Sequence, residues 1–254
     1  MQSYRTNADW SSIFDTIAEK IDPTVPRPDI HTRPTMILVD CYVSFQNVPP
    51  ERPEKVKFTD KGFYYNYIYC GQDKTFTFDY ENCWLEDATE EDNRVNNYAY
   101  KGCLRLMKKE HICDLTFFDQ NSFKHVKNLL YHYTIALDFQ TKYTVEEMLG
   151  HGASANVHKI IDNQTGQKFA GKMITKEYLK KTPKRVISVT TEIGTLRKLN
   201  HPGIVKLIEV HEIESYVILV MEYLEGEALN PDLFKNSKHK EYEIKDIFVQ
   251  ILSA

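Results

Sequence analysis

A segment with two glycines, Gly150 and Gly152, most narrows what this chain can fold into. In dinucleotide-binding folds a similar glycine pattern ends a strand and opens a helix. Here the following residues, VHKII, lead into a polar turn at residues 162–166 and then into a second apolar run, QKFAGKMI. This order predicts a β-hairpin with a glycine loop at its start. Because Gly150 and Gly152 lack Cβ, the backbone there can approach phosphate oxygens closely and donate its N–H groups to them.

The second strand of the predicted hairpin carries Lys172 within the sequence FAGK. Side chains alternate between the two faces of a strand, so Lys172 points to the same side as Ala170. If the small Ala170 and the apolar Val157 cover a flat aromatic base, the Lys172 ammonium can pair with phosphates of the same ligand. A lone lysine on a strand is also commonly a solvated surface charge, so this pattern alone leaves both interpretations open.

A helix is predicted after this hairpin. Thr182 and Pro183 supply an N-cap and a first-turn proline, and the helix is expected to run to about residue 200. At about 100° per residue, Glu192 falls on the apolar face of this helix, with Val189, Leu196 and Leu199. Burying a carboxylate there without a cation would be costly, so we predict that Glu192 pairs with Lys172.

These features occur in the order and spacing of the small lobe of a protein kinase. FAGK is followed by Glu192, by HPGIV at residues 201–205 and by VILVMEYLEGEAL. Residues 143–254 therefore resemble a eukaryotic Ser/Thr protein kinase, covering the small lobe, the linker and the start of the large lobe. The sequences LRKLNHPGIVKL and FVQILSA are most similar to the calcium/calmodulin-dependent kinase group.

The resemblance implies a function and a set of site residues. It implies an ATP-binding part of a kinase that phosphorylates protein hydroxyls, in which Lys172 and Glu192 are the catalytic ion pair that orients the ATP phosphates. Met221 corresponds to the residue beside the adenine pocket, and the backbone of the linker would hydrogen-bond the adenine edge. The ATP-binding residues implied in this way are Leu149, Gly150, Gly152, Val157, Ala170, Lys172, Met221, Glu222 and Leu224.

The sequence departs from the kinase pattern in several places. Ala155 stands where the third glycine of the loop is expected, and Ala228 stands where relatives place an acidic contact to the ribose. After Lys172 there is no HRD catalytic loop and no DFG or APE motif. These motifs supply the proton acceptor and the Mg²⁺ ligands, so Mg²⁺ is expected only in a complete kinase, and the chain alone is expected to be inactive. The alternative function is a non-catalytic, pseudokinase-like module that binds nucleotide or a regulatory partner.

The last residues of the chain, 241–254, are predicted to form an amphipathic helix. Apolar residues recur at helical spacing along it, namely Ile244, Ile247, Phe248, Ile251 and Leu252. In the kinase fold, later helices would cover this stripe. We therefore expect the chain to be a fragment whose C-terminal segment is mobile or promotes aggregation.

The N-terminal part is predicted to form a separate domain. Residues 1–33 contain an amphipathic helix, which packs on the chain or docks a partner, and a proline-containing linker. Residues 34–140 contain short β-branched and aromatic segments followed by a helix over residues 121–137, and so resemble a pleckstrin-homology-like (PH-like) domain. The predicted fold class is α+β: an antiparallel β domain with a C-terminal helix, then a protein kinase small lobe (β-sheet plus αC helix) with a truncated large lobe.

The charge and the apolar runs of the sequence indicate which partners and which location to expect. The chain has 32 Lys+Arg and 36 Asp+Glu residues, a net charge of −4, so no nucleic-acid partner is expected. It has no run of about 18 apolar residues and no apolar signal segment, so we expect a cytoplasmic protein. Within the PH-like segment, Lys55, Lys57 and Lys61 are the candidates for binding a membrane phosphoinositide, and the alternative is a solvated charged face.

The cysteines do not indicate a metal site. Their number is odd and they lack CxxC spacing, so we predict reduced, buried thiols at Cys41, Cys70, Cys83, Cys103 and Cys113.

Overall fold

The computed structural model describes residues 37–45, 54–80, 82–88, 101–108, 111–226 and 241–253. The amphipathic helix and linker predicted within residues 1–33 and the predicted ribose position Ala228 lie outside these ranges.

The N-terminal unit, as we call β1 to β7 together with α1, is an antiparallel sheet closed by one helix. Its strands are β1 (Ile37–Phe45), β2 (Glu54–Thr59), β3 (Gly62–Tyr69), β4 (Gln72–Asp79), β5 (Trp84–Asp87), β6 (Gly102–Lys108) and β7 (His111–Phe117), and α1 is Gln120–Tyr133. The sequence pattern did not predict β2 and β5. Lysines alternate with the buried residues of β2, and β5 has only four residues, two of them acidic.

The strands of the N-terminal unit follow the order β4-β3-β2-β1-β7-β6-β5. A first core fills the space between this sheet and α1, with Phe58, Phe63, Phe117, Val126 and Leu130 among its buried side chains. The helix ends at Tyr133, earlier than predicted, because Thr134 is extended and its N–H donates to the Leu130 carbonyl at 2.8 Å. The Thr134 hydroxyl donates to the same carbonyl, which closes the helix end.

The remaining elements form a second group. They are β8 (Ile135–Ala136), α2 (Phe139–Lys142), β9 (Tyr143–His151), β10 (Asn156–Asp162), β11 (Lys168–Thr175), α3 (Lys176–Lys180), α4 (Pro183–Leu196), β12 (Leu207–Glu212), β13 (Tyr216–Glu222) and α5 (Glu241–Ser253). The sequence did not predict α3. The predicted helix after Thr182 is α4, which ends at Leu196 instead of near residue 200 because its cap residue Arg197 is followed by turns.

The short strand β8 joins the two groups of strands. It pairs in parallel with β5 through Trp84 and with β12 through His211. The order β5-β8-β12-β13-β11-β10-β9 therefore continues the N-terminal sheet, giving one sheet of thirteen strands among the described residues.

A second core lies across this junction. It combines Trp84 and Met107 of the N-terminal unit with apolar residues of α3, α4, β11, β12 and β13, including Leu179, Val189, Ile193, Leu207 and Leu219. Helix α4 thus buries its apolar face against a core that the N-terminal unit helps to build.

The cysteine prediction is wrong at one position. Cys41, Cys83 and Cys103 are buried and Cys113 is half-buried, but Cys70 is exposed. Cys70 lies in the turn between β3 and β4 with a φ of 52°, where the chain reverses direction at the surface. Among the described residues, no helix has the length and apolar character needed to cross a membrane.

The predicted C-terminal helix is present as α5. Along it, Phe248, Ile251 and Leu252 are exposed and Ile247 is half-buried, whereas the side chain of Ile244 lies outside the described part of the chain. The expected association of this apolar surface stays a prediction.

Candidate functional site

The residues predicted to hold a nucleotide share one face of the C-terminal strands. In the antiparallel register, Val157 of β10 lies opposite both Gly150 of β9 and Lys172 of β11. Ala170 of β11 lies opposite Met221 of β13. Directly opposed residues point to the same side of a sheet, and so do residues two apart on a strand. The register therefore places Val157, Ala170, Lys172 and Met221 on a common face.

Around Lys172 this face is apolar, and Lys159, which lies opposite Ala170 on the same face, is paired with Glu146 and Glu147. Ala170 is buried, and Val157 and Met221 are half-buried. Met221 also packs against the second core, so its position follows from the packing of β13. The side chains of Ala170, Val157 and Met221 provide an apolar surface for a flat ring. The Lys172 ammonium beside them suits a negatively charged group on the same ligand.

Two contacts within the glycine loop between β9 and β10 hold its ends together. The Gly152 N–H donates to the Ala155 carbonyl at 2.9 Å, and His151 Nδ1 lies 2.6 Å from Asn156 Oδ1. A Cβ added at Gly150 would meet no atom within 4 Å. Packing within the chain therefore does not require glycine at position 150, and open space lies where a ligand would approach.

Ala155, at the position of the expected third glycine, has a packing role. Its side chain is half-buried and packs against the second core. The methyl group therefore anchors the end of the loop to the body of the protein.

Lys172 and Glu192 are in direct contact. The Lys172 Nζ of β11 lies 2.6 Å from the Glu192 Oε1 of α4. The two side chains are 24% and 37% exposed, so solvent screens the pair and its contribution to stability is small. The pair instead holds the lysine ammonium in a defined position beside the apolar face.

The predicted adenine-edge residues lie at the end of β13. The Glu222 N–H donates to the Lys206 carbonyl at 3.0 Å, and the Glu222 carboxylate accepts from the Lys206 N–H at 2.7 Å. The N–H of Glu222 thus has a partner within the protein, and its carbonyl is the group to consider for a ligand. Leu224 and Leu149 are 62% and 43% exposed.

A buried polar cluster around β12 of this sheet was missed by the sequence analysis. Glu209 of β12 accepts hydrogen bonds from Lys142 Nζ at 2.6 Å and from the Tyr143 hydroxyl at 3.0 Å, and it lies 2.8 Å from His211 Nε2. Burial would raise the pKa of Glu209, but His211 and Lys142 together outweigh it and lower that pKa to about 2. The charged residues of LIEVHE gave no sign that this strand is buried on both faces.

A second buried ion pair, between α3 and β12, is joined to the N-terminal unit by a hydrogen bond from Trp84. Lys176 Nζ lies 3.0 Å from Glu212 Oε1, with the two side chains 4% and 0% exposed. The indole N–H of Trp84 donates to the other oxygen of Glu212 at 3.0 Å. Trp84 and Glu212 are 128 positions apart, so no local pattern could have indicated this contact.

Of the three lysines considered for lipid binding, two line the same pocket. Lys55 and Lys57 line a pocket of about 320 Å³, together with Glu54, Tyr64, Tyr65 and Asn66, whereas Lys61 is not among its lining residues. The carboxylate of Glu54 in this pocket offsets part of the positive charge that an anionic headgroup would need.

Comparison with known proteins supports the predicted family resemblance. Residues 143–254 match the protein kinase domain. The chain is 39% identical over 115 residues to the probable serine/threonine-protein kinase fhkE of Dictyostelium discoideum, covering 44% of this chain. It is 36% identical over 113 residues to CBL-interacting serine/threonine-protein kinase 19 of Arabidopsis thaliana, again 44% of this chain. Over 120 residues, 47% of this chain, it is 36% identical to the serine/threonine-protein kinase DCLK3 of Mus musculus.

The chain spans a minor part of each of these relatives. The aligned segments are 16% of fhkE, 23% of kinase 19 and 15% of DCLK3. The matches confirm the predicted resemblance of residues 143–254 to a Ser/Thr protein kinase.

Proposed function

We propose that residues 143–254 are the ATP-binding part of a Ser/Thr protein kinase that phosphorylates protein hydroxyls when complete. The observation that carries this proposal is the Lys172–Glu192 contact at 2.6 Å beside the apolar face of Val157, Ala170 and Met221. In kinases, a strand lysine held by a helix glutamate positions the phosphates of ATP, and catalysis depends mainly on such positioning.

Each residue has a role in this proposal. Val157 and Ala170 cover the adenine ring, with Met221 beside it. Lys172 pairs with the α- and β-phosphates, while Glu192 holds the ammonium in place. The glycine loop lies over the phosphates, where the open space over Gly150 allows close approach. Because the Gly152 N–H donates to the Ala155 carbonyl, other N–H groups of the loop are the donors to the phosphate oxygens. The linker backbone at Glu222 and Leu224 meets the adenine edge, and Leu149 covers its outer side.

Two finer assignments belong to the same proposal. We assign the kinase part to the calcium/calmodulin-dependent group on the sequences LRKLNHPGIVKL and FVQILSA. We assign residues 34–140 to a PH-like domain that is cytoplasmic with the rest of the chain. Seven antiparallel strands in the order β4-β3-β2-β1-β7-β6-β5, followed by a helix, support this second assignment.

Replacing Lys172 with alanine tests the proposed site. Loss of a charge-assisted contact to phosphate should weaken ATP binding by the 254-residue chain roughly tenfold or more, measured as Kd by titration calorimetry. Lys184→Ala is a matched control, because Lys184 is an exposed lysine in the first turn of α4. An equal Kd for wild type and Lys172→Ala would remove Lys172 from the site.

Of the two forms of the alternative function, the regulatory module makes a different prediction for the wild-type chain, whereas the non-catalytic nucleotide-binding module is also expected to bind ATP. A module that serves only as a regulatory binding partner need not bind ATP. Absence of any heat or competition signal with ATP at millimolar concentration, in a folded chain, would favour that alternative.

We further predict that the 254-residue chain does not transfer phosphate. Its sequence contains neither HRD nor DFG, the motifs that accept the hydroxyl proton and hold Mg²⁺ in this family. The measurement is incubation of the purified chain with γ-labelled ATP and a mixture of Ser/Thr peptides. Label on a peptide, in a preparation free of other kinases, would contradict the prediction.

A further inference from the structure

We propose that the N-terminal unit acts as a built-in positioning element for α4, through an anchor between Arg197 and the end of α1. This inference rests on the proposed ATP-binding function, since its consequence is the placement of Glu192 next to Lys172. Arg197 and Trp84 would be positioning residues that act through Glu192.

The anchor is a hydrogen bond between two helix ends. Arg197 is the C-cap residue of α4, and its Nη2 donates to the carbonyl of Thr134 at 2.7 Å. Thr134 is the C-cap residue of α1. The last carbonyls of a helix have no partner within the helix and carry partial negative charge, so a guanidinium is a favourable partner there. Burial lowers the pKa of Arg197 to about 10, which leaves the side chain charged at neutral pH.

Packing of Trp84 supports the same face of α4. Its indole is fully buried in the second core, which also contains Val186, Val189 and Ile193 of α4. The hydrogen bond from the Trp84 Nε1 to Glu212 limits rotation of the ring. The N-terminal unit therefore contacts α4 by a polar anchor at its end and supports it by an apolar core along its side.

Glu192 lies on α4 between these two supports. It precedes the buried Ile193 and is five positions before Arg197, which is about 7.5 Å along the helix axis. A helix moves as a rigid element, so a shift of the Arg197 end changes the distance between Glu192 and Lys172. A displacement of more than about an ångström takes the 2.6 Å contact out of hydrogen-bond range unless both side chains rearrange. The position in which the N-terminal unit holds the Arg197 end of α4 would thereby control the Lys172–Glu192 contact at the proposed nucleotide site.

The first test measures the ion pair directly and needs no nucleotide. In the full 254-residue chain, a water-soluble carbodiimide should join the Lys172 amine and the Glu192 carboxylate in an amide, detected as linked peptides by mass spectrometry. Arg197→Met removes the guanidinium donors and keeps an unbranched stem, and should lose most of this cross-link. Lys198→Met, which changes the exposed neighbouring lysine, should retain it, and Arg197→Lys should recover part of it.

Two additional measurements distinguish a variant that fails to fold from a folded variant that has lost the ion pair. Circular dichroism identifies a temperature at which all variants are folded, and Arg197→Gln replaces Arg197→Met with the same expected cross-link loss if the latter does not fold. An unchanged cross-link yield in folded Arg197→Met or Arg197→Gln overturns the proposal.

A double-mutant cycle in ATP binding gives the second test. If Arg197 acts through Glu192, Arg197→Met should weaken ATP binding roughly tenfold in the wild-type background and have no further effect in Glu192→Gln. Equal losses in both backgrounds would mean that Arg197 does not act through Glu192, and would overturn the proposal. If the wild-type chain binds no ATP at all, the proposed function fails, while the cross-link result still decides the role of Arg197.

Discussion

Replacing Glu212 with alanine is expected to lower the free energy of unfolding by about 3–5 kcal/mol, the usual effect of removing one member of a buried ion pair. Glu212 is fully buried, lies 3.0 Å from Lys176 Nζ and accepts the indole N–H of Trp84. Without Glu212, the buried Lys176 ammonium loses this carboxylate. Burial already lowers the pKa of Lys176, and Glu212 opposes that effect. Urea denaturation at pH 7 measures the change.

Nearby substitutions provide the controls for Glu212. Glu214→Ala removes an exposed glutamate two positions later and should change stability by less than about 0.5 kcal/mol. The double variant Glu212→Leu with Lys176→Met replaces both charges with apolar groups and should recover most of the loss. Equal stability of Glu212→Ala and Glu214→Ala would show that the Glu212 contacts contribute nothing.

Glu209 should make the stability of the protein depend on acid pH. Its pKa is lowered to about 2 from an ordinary value of 4.5, so the folded state favours the ionised carboxylate. A depressed pKa contributes stability above the unfolded value and loses it as pH falls towards the folded value. The shift corresponds to about 3 kcal/mol at pH 7, which is lost between about pH 4.5 and pH 2.

Glu209→Gln isolates this contribution from the other carboxylates. Glutamine mimics the protonated acid, so the difference in unfolding free energy between wild type and variant should be about 3 kcal/mol at pH 7 and shrink towards zero near pH 2. Urea titrations across this pH range measure the difference. A constant difference at every pH would contradict the role assigned to His211 and Lys142 around Glu209.

Elements with a strong local pattern were predicted from the sequence. The glycine hairpin and the stripe of α5 follow from strand and helix periodicity. Lys172 and Glu192 are also in contact as expected. The strand period of two places Lys172 on the same face as Ala170, and the helix period of 3.6 places Glu192 on the apolar face of α4. In contrast, β5 and α3 are too short to carry a period, and their existence follows from what packs against them.

The sequence by itself determined that residues 143–254 contain a glycine hairpin, a strand lysine and a helix glutamate in an order that resembles a protein kinase domain. Only the tertiary structure decided how the N-terminal unit is attached to it. The pairing of β8 with β5 and β12, the hydrogen bond from Trp84 to Glu212 and the anchor from Arg197 to Thr134 all join residues that are distant or differently patterned in the chain. Burial of a charged side chain depends on which surfaces pack together in the folded protein. Local periodicity does not show which surfaces these are.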